Sequence, residues 1–287
     1  MVNDNHFRCD YQYFWDADGW LKLHRVPSNW FEARLRCHLE GGNLASPSNS
    51  SLQDAMSFLI EEATGDMSSG VFTGIHAFFS RGDFQSIEGV PLWKIPHTWA
   101  DGEPNNYKDQ ESCIAMFLDG SIADVDCHQP LPYICYKEKS KMLVSDCGTT
   151  DKEYAYAETG SCYKFHELQR TWSRASMVCA AEGGHLVVIN SDREAQVVKD
   201  IFAKRPGELA FVGVYDWNEH GEWLTIHGQT LAEAGYDKFA PGEPNNASSS
   251  GEFCAGVFRT ALFNDVPCEY KYSFICEKGP NSLLCDP

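Results

Sequence analysis

Two groups of side chains in this sequence carry oxygen donors at matched spacing. Glu103, Asn105 and Glu111 lie in "ADGEPNNYKDQESC" (100–113), and Asp124 follows in "SIADVDC" (121–127). Glu243, Asn245 and Glu252 lie in "APGEPNNASSSGEFC" (240–254), and Asn264 and Asp265 follow in "FNDVPC" (263–268). Both groups offer carboxylates and carboxamides, the donors that a hard cation prefers. Calcium takes about 6–8 oxygens from carboxylates, carboxamides, carbonyls and water. The ligands are spread over two segments, unlike an EF-hand with its single contiguous loop. A proline between Glu and Asn restricts the backbone and permits a cis bond that turns both side chains the same way. A cysteine follows each of the two ligand segments and would hold them side by side. Acid–base work on glycosides is another use for paired carboxylates, but no activated nucleophile accompanies them. A solvated turn is the plainest explanation, and the repetition of the whole pattern argues against it.

The pattern repeats because the chain does. Trp30, Cys37 and Glu40-Gly41-Gly42 recur 142 residues later as Trp172, Cys179 and Glu182-Gly183-Gly184. Cys113, Cys127 and Cys135 recur 141 residues later as Cys254, Cys268 and Cys276. This period is too long for a solenoid unit and indicates a duplicated domain. The expected division is a first domain over 1–138, a short linker over 139–146 and a second domain over 147–287. Each copy reads as an early strand ("GWLKLH"; "SCYKF") and a helix ending in the Gly pair. A second helix ("SLQDAMSFLIEEATG"; "DREAQVVKDIFAKRPG") and a set of short strands with long loops complete it. Helices first and strands later argue an α+β class with short antiparallel sheets.

The 287 residues carry 12 cysteines, 43% hydrophobic residues and a net charge of -18. Such a charge disfavours nucleic acid and anionic membranes as partners, and no apolar run reaches the roughly 20 residues of a membrane span. The cysteines point to an oxidising compartment. The chain reads as a mature secreted protein whose signal peptide is gone. The economical pairing within each copy is Cys37–Cys135 with Cys113–Cys127, and Cys179–Cys276 with Cys254–Cys268. Cys147 and Cys162 are placed to close a local hairpin, which leaves Cys9 and Cys285 as an expected pair. Sequence alone leaves the connectivity open. Trp30 and Trp172, at helix spacing, are expected in the cores. Trp99, Phe239, Trp217 and Trp223 are expected as core or loop anchors, with Trp217 or Tyr107 available to stack on a sugar. Asn49 and Asn246 begin glycosylation sequons. Asn246 abuts the ligand loop and is expected to be unmodified.

Glu-Pro-Asn, a Glu two residues before a cysteine, "FNDVPC", the helix cysteine with "EGGHL" and the strand "FVGV" together resemble the C-type lectin domain. The resemblance spans the chain twice, and the tandem layout looks like the immulectins, two-domain haemolymph lectins of moths. It implies that calcium is held by Glu243, Asn245, Glu252, Asn264 and Asp265, with two vicinal sugar hydroxyls completing its shell. In the first copy it implies Glu103, Asn105, Glu111 and Asp124 as ligands, with Ala123 standing where an Asn is expected. The same residues, apart from the two aspartates, would bind carbohydrate. Glu-Pro-Asn implies mannose, glucose or N-acetylglucosamine. A second calcium site of the family is doubtful here: Asp216 and Asn246 fit it, whereas Phe253 stands where an acid is expected. The implied role is a secreted, non-enzymatic, innate-immune pattern-recognition lectin for microbial glycans such as lipopolysaccharide, mannan or peptidoglycan sugars, with immune effector proteins or haemocytes as further partners. The alternative is a protein-interaction module in which calcium orders the loops.

Overall fold

The computed structural model describes residues 7–63, 67–139, 145–216 and 221–284. The chain divides into two compact units, the second formed by Val144–Leu283. The first contains β1 (Gln12–Phe14), β2 (Gly19–Ser28), α1 (Trp30–Leu39), β3 (Asn43–Leu44), α2 (Ser50–Glu61), β4 (Val71–His76), β5 (Gln85–Ser86), β6 (Glu111–Met116), β7 (Ile122–Asp126) and β8 (Leu131–Glu138). The second contains β9 (Ala155–Tyr156), β10 (Cys162–Arg170), α3 (Trp172–Ala181), β11 (His185–Leu186), α4 (Asp192–Ala203), β12 (Leu209–Tyr215), β13 (Leu224–Thr225), α5 (Leu231–Ala234), β14 (Cys254–Phe258), β15 (Phe263–Val266) and β16 (Tyr272–Lys278).

Local chemistry accounts for the helices. Asn29 starts α1 by accepting the Glu32 amide, and Asn49 starts α2 by accepting that of Leu52. Asx side chains at this position satisfy a donor that the helix leaves unpaired. Trp30, Ala33 and Cys37 recur on one face of α1 and are buried; Ala195, Val198 and Phe202 do the same on α4. The Gly pair ends α1 as a helix-terminating motif: Gly41 has φ 88° and the Gly42 amide donates to the Cys37 carbonyl. The second glycine of the pair serves packing. A Cβ on Gly184 would lie 2.2 Å from the Glu277 carbonyl oxygen, so only glycine lets β11 approach β16.

Each unit has one eight-stranded sheet. The first runs β1-β2-β8-β4-β6-β7, with β3 on β8 and β5 on β4; the second runs β15-β14-β12-β16-β10-β9, with β11 and β13 alongside. Most pairs are antiparallel, as the sequence suggests. Each sheet also holds one parallel pair, β4 with β8 and β12 with β16. Alternating residues do not report strand direction, so this feature is invisible in the sequence.

Five disulfides join Cys37–Cys135, Cys113–Cys127, Cys147–Cys162, Cys179–Cys276 and Cys254–Cys268. Cys9 is also disulfide-bonded; its expected partner, Cys285, lies outside the described residues. Two expectations need correction. The second domain has a third, short helix, α5, started by a capping box between Thr230 and Glu233. Trp172 is half-buried, whereas Trp30 is buried. Rings of Phe31, His76 and Phe78 pack on Trp30. In the second domain Ser173 occupies the place of Phe31, and among the described residues the Tyr215 ring packs edge-on against Trp172.

Candidate functional site

In the second domain the site is built on the β14–β15 hairpin. Cys254 pairs with Val266, Ala255 with Asp265 and Gly256 with Asn264. The Glu-Pro-Asn loop leaves the sheet at Phe239, bridged to Phe263, and the Ala240 amide donates to the Phe263 carbonyl at 2.8 Å. The loop therefore returns over the same two strands that carry Asn264 and Asp265. The Glu243–Pro244 bond is cis. Asp265 is buried, and its carboxylate accepts the amides of Asn245 at 3.0 Å and Asn246 at 2.6 Å. Glu252 accepts the Ala247 amide at 2.7 Å, while its own amide donates to Asn246 Oδ1 at 2.8 Å. Asn246 adopts a left-handed backbone with φ 47°, which Asn tolerates better than most residues. Glu243 Oε2 and Asn264 Oδ1 are buried with no hydrogen-bond partner among the described residues. A buried, unpaired oxygen is costly. Burial, then the neighbouring Asp265 and Glu252, pushes the Glu243 carboxyl upward.

The first domain repeats the arrangement on the β6–β7 hairpin. Glu103–Pro104 is cis. Buried Asp124 accepts the amides of Asn105 and Asn106, both at 2.9 Å. Glu111 accepts the Tyr107 amide at 2.5 Å, and Asn105 Nδ2 donates to Glu103 Oε1 at 2.8 Å. Oxygens of Glu103, Glu111 and Asp124 lie within 4.8 Å of one another. Burial, then Asp124, pushes the Glu103 carboxyl upward. Ala123 lies opposite Ala115, where the second domain has Asn264 opposite Gly256, and so brings no oxygen. The first domain thus has fewer donors but a close carboxylate trio.

Residues 26–137 and 168–278 each match the family model described as Lectin C-type domain. The chain belongs to the C-type lectin family. Within it, 123 residues are 37% identical to the hemolymph lipopolysaccharide-binding protein of Periplaneta americana, covering 40% of this lectin and 48% of that protein. A 288-residue match to the human C-type mannose receptor 2 is 25% identical and covers 94% of this lectin but 18% of the receptor. The lectin therefore spans half or less of these relatives. A solved structure, the mouse scavenger receptor C-type lectin carbohydrate-recognition domain, is 30% identical with a TM-score of 0.41, covering 45% of this lectin and 97% of that chain. No described helix is long and apolar enough to cross a membrane.

The oxygen donors of both loops fit a hard cation: the set is all oxygen, and in the second domain two buried oxygens lack a partner. At the doubtful second position, Asp216 Oδ2 accepts the Gly221 amide at 2.8 Å while Oδ1 is buried and unpartnered. Asn246 is already engaged by Glu252, and Phe253 offers no acid. Tyr107 is exposed beside the first loop, with the Lys108 ammonium 5.0 Å from its ring centre. Trp217 lies outside the described residues. Trp99, Trp223 and Phe239 are partly buried against the cores.

Sequence reasoning missed a second repeated assembly. Buried Glu40 accepts Tyr11, Lys22, His24 and Arg36; buried Glu182 accepts Tyr154, Lys164 and His166. The cationic partners lower the carboxyl pKa of both glutamates, Glu40 well below the usual carboxylate range, overcoming their burial. Cys135 and Cys276 lie beside the clusters, but each is consumed in a disulfide, so neither is a metal ligand. The signal was present in the Glu of the repeated "EGG".

Proposed function

We propose that the protein is a secreted, calcium-dependent lectin that binds sugars through two vicinal hydroxyls, with the second domain as its principal site. The observation that carries this reading is the pair of buried, unpartnered oxygens, Glu243 Oε2 and Asn264 Oδ1, beside a loop already clamped by Asp265. Glu243, Asn245, Glu252, Asn264 and Asp265 would hold calcium in the second domain, and Glu103, Asn105, Glu111 and Asp124 in the first. Bound calcium would offer coordination positions to the sugar hydroxyls. The chain's own contribution is polarity: glutamates accept from the hydroxyls, and the Asn245 and Asn264 carboxamides donate to them. That order suits mannose, glucose and N-acetylglucosamine.

The ligand class follows in part from a relative, the cockroach protein named for lipopolysaccharide binding. With a net charge of -18 the protein would read the sugars of such a molecule and avoid its phosphates. Microbial glycans, including mannan and peptidoglycan sugars, are the proposed partners, and innate recognition the proposed role. The disulfides among the described residues support an extracellular location. Both aspartates and one glutamate per loop are occupied by backbone amides, which favours a binding role over acid–base catalysis. A glycan array run with calcium and with a chelator tests the reading. Mannose-type signals lost in chelator are expected; calcium-insensitive or absent sugar binding, with retained binding to a protein, would replace it with the interaction-module reading.

A further inference from the structure

A cavity of 810 Å³ adjoins the first domain's loop. Asn105, Glu111 and Asp124 border one part of it, and Arg81, Trp93 and Trp99 another. Its size lies in the range of pockets that enclose a drug-sized ligand, roughly 300–1,000 Å³. Two hydroxyls of one sugar at the loop would leave most of it empty.

Trp93 is the unusual member. It lies in a short 3-10 turn, Leu92–Lys94, anchored below by buried Leu92, whose amide donates to the Phe84 carbonyl at 2.8 Å. The indole itself is 76% exposed, whereas tryptophan is mostly buried in folded proteins. The Lys94 ammonium sits 4.9 Å from the ring centre and helps to hold its orientation. Trp99, half-buried, is fixed edge-on by Phe84 and His97. The second domain repeats the Phe84–Trp99 contact as Trp223 against Phe239 but not the Trp93 part of the wall. Leu231 matches Leu92, so Ala232 and Glu233 of α5 stand where the first domain has Trp93 and Lys94. The exposed indole is therefore specific to the first domain and is not required by the fold.

We infer that this cavity is a subsite for a second pyranose, so that the first domain selects oligosaccharides over single sugars, with the added ring lying against Trp93. The chemistry is general. A pyranose presents a face of C–H groups, and a rigid indole offers a flat apolar surface of complementary charge distribution. The inference rests on the proposed sugar-binding role of the Glu103–Glu111 loop. It also gives that loop a use: fewer cation donors, offset by contact along the glycan.

The test uses the full chain with Glu243→Ala and Asn245→Ala to silence the second domain, with and without Trp93→Ala. Calorimetry in calcium compares methyl mannoside with linear mannotriose, and N-acetylglucosamine with its trimer. In one series or the other, the trimer is expected to bind about three- to tenfold more tightly than the monomer, the scale of one aromatic contact. Trp93→Ala is expected to abolish that excess and leave monomer affinity unchanged. Equal affinities in both series, or an excess that survives Trp93→Ala, would overturn the inference. Should neither monomer bind, the calcium-loop reading fails on its own. The subsite is then judged by the indole N–H resonance assigned through Trp93→Ala: a trimer-dependent shift supports it, and no shift overturns it.

Discussion

The second domain buries a carboxylic acid that ought to make its stability fall as pH rises. Glu194 and Glu277 are both buried. The Tyr163 hydroxyl donates to Glu194 Oε1, and the Asn190 amide donates to Oε2 at 2.8 Å. Burial, and after it the Glu277 carboxylate, pushes the Glu194 carboxyl up from 4.5 to about 7. The folded state therefore prefers the protonated acid. That preference contributes fully below pH 4.5 and is lost as pH climbs through about 7. Its ceiling is about 3 kcal/mol, or roughly 10 °C in melting temperature for a domain of this size. Glu194→Gln removes the titration. Its Oε1 can accept from Asn190, and its amide can face Tyr163 once that hydroxyl donates to Thr159, 2.9 Å away. The first domain supplies an internal control: Leu21, Leu52 and Tyr136 stand at the places of Tyr163, Glu194 and Glu277. Scanning calorimetry of the full chain in chelator, from pH 5 to pH 8, is the assay. The wild-type second-domain transition should fall across that range relative to Glu194→Gln, while the first-domain transition moves equally in both. Parallel pH profiles for the second-domain transition would refute the argument.

Other outcomes follow from the repeated clusters and loops. Glu182→Gln removes the buried counter-charge of His166 and one of the acidic partners of Lys164, which keeps Asp151, and should cost about 1.5–3 kcal/mol in urea unfolding; because the Glu182 carboxyl is held low, wild type should lose this advantage only below about pH 4.5. Ala123→Asn should tighten calcium in the first domain, and Asn264→Ala weaken it in the second, each by about 10- to 100-fold in calorimetric titration; no change in either would remove the asparagine from the ligand set. Glu243→Gln with Asn245→Asp reverses donors and acceptors and should move array preference from mannose-type toward galactose-type sugars. Retained mannose preference would show that the second domain's tripeptide does not set the choice.

The duplication made much of this fold readable. One copy's helix start, Gly pair and cysteine positions could be checked against the other, and caps such as Asn29 and Asn49 act locally, where sequence is most informative. The ligand loops were readable for the same reason, since Glu, Pro and Asn lie within three residues and the cysteines mark the return strand. Features made by distant parts of the chain were not. Glu40 meets Tyr11, Lys22 and His24 only once α1 packs on β8, the neighbour of β2, and no periodicity announces that. Trp93 reads as one more apolar residue among its neighbours, because exposure is a property of the folded surface. Trp172 shows the limit of the repeat itself: matched position does not give matched burial where the neighbouring residues differ, as Phe31 and Ser173 do.

The long disulfides have a topological meaning. Cys37–Cys135 and Cys179–Cys276 join positions 98 and 97 apart and so close covalent rings, and each ring contains an exposed Glu-Pro-Asn loop. A protease that cuts between Asn106 and Gln110 leaves Glu103 and Asn105 on one piece and Glu111 and Asp124 on the other. The two pieces still share the Cys37–Cys135 bond and the β6–β4–β8 ladder. Nicking in either loop thus breaks the chain without releasing a fragment, and the wound appears only after reduction.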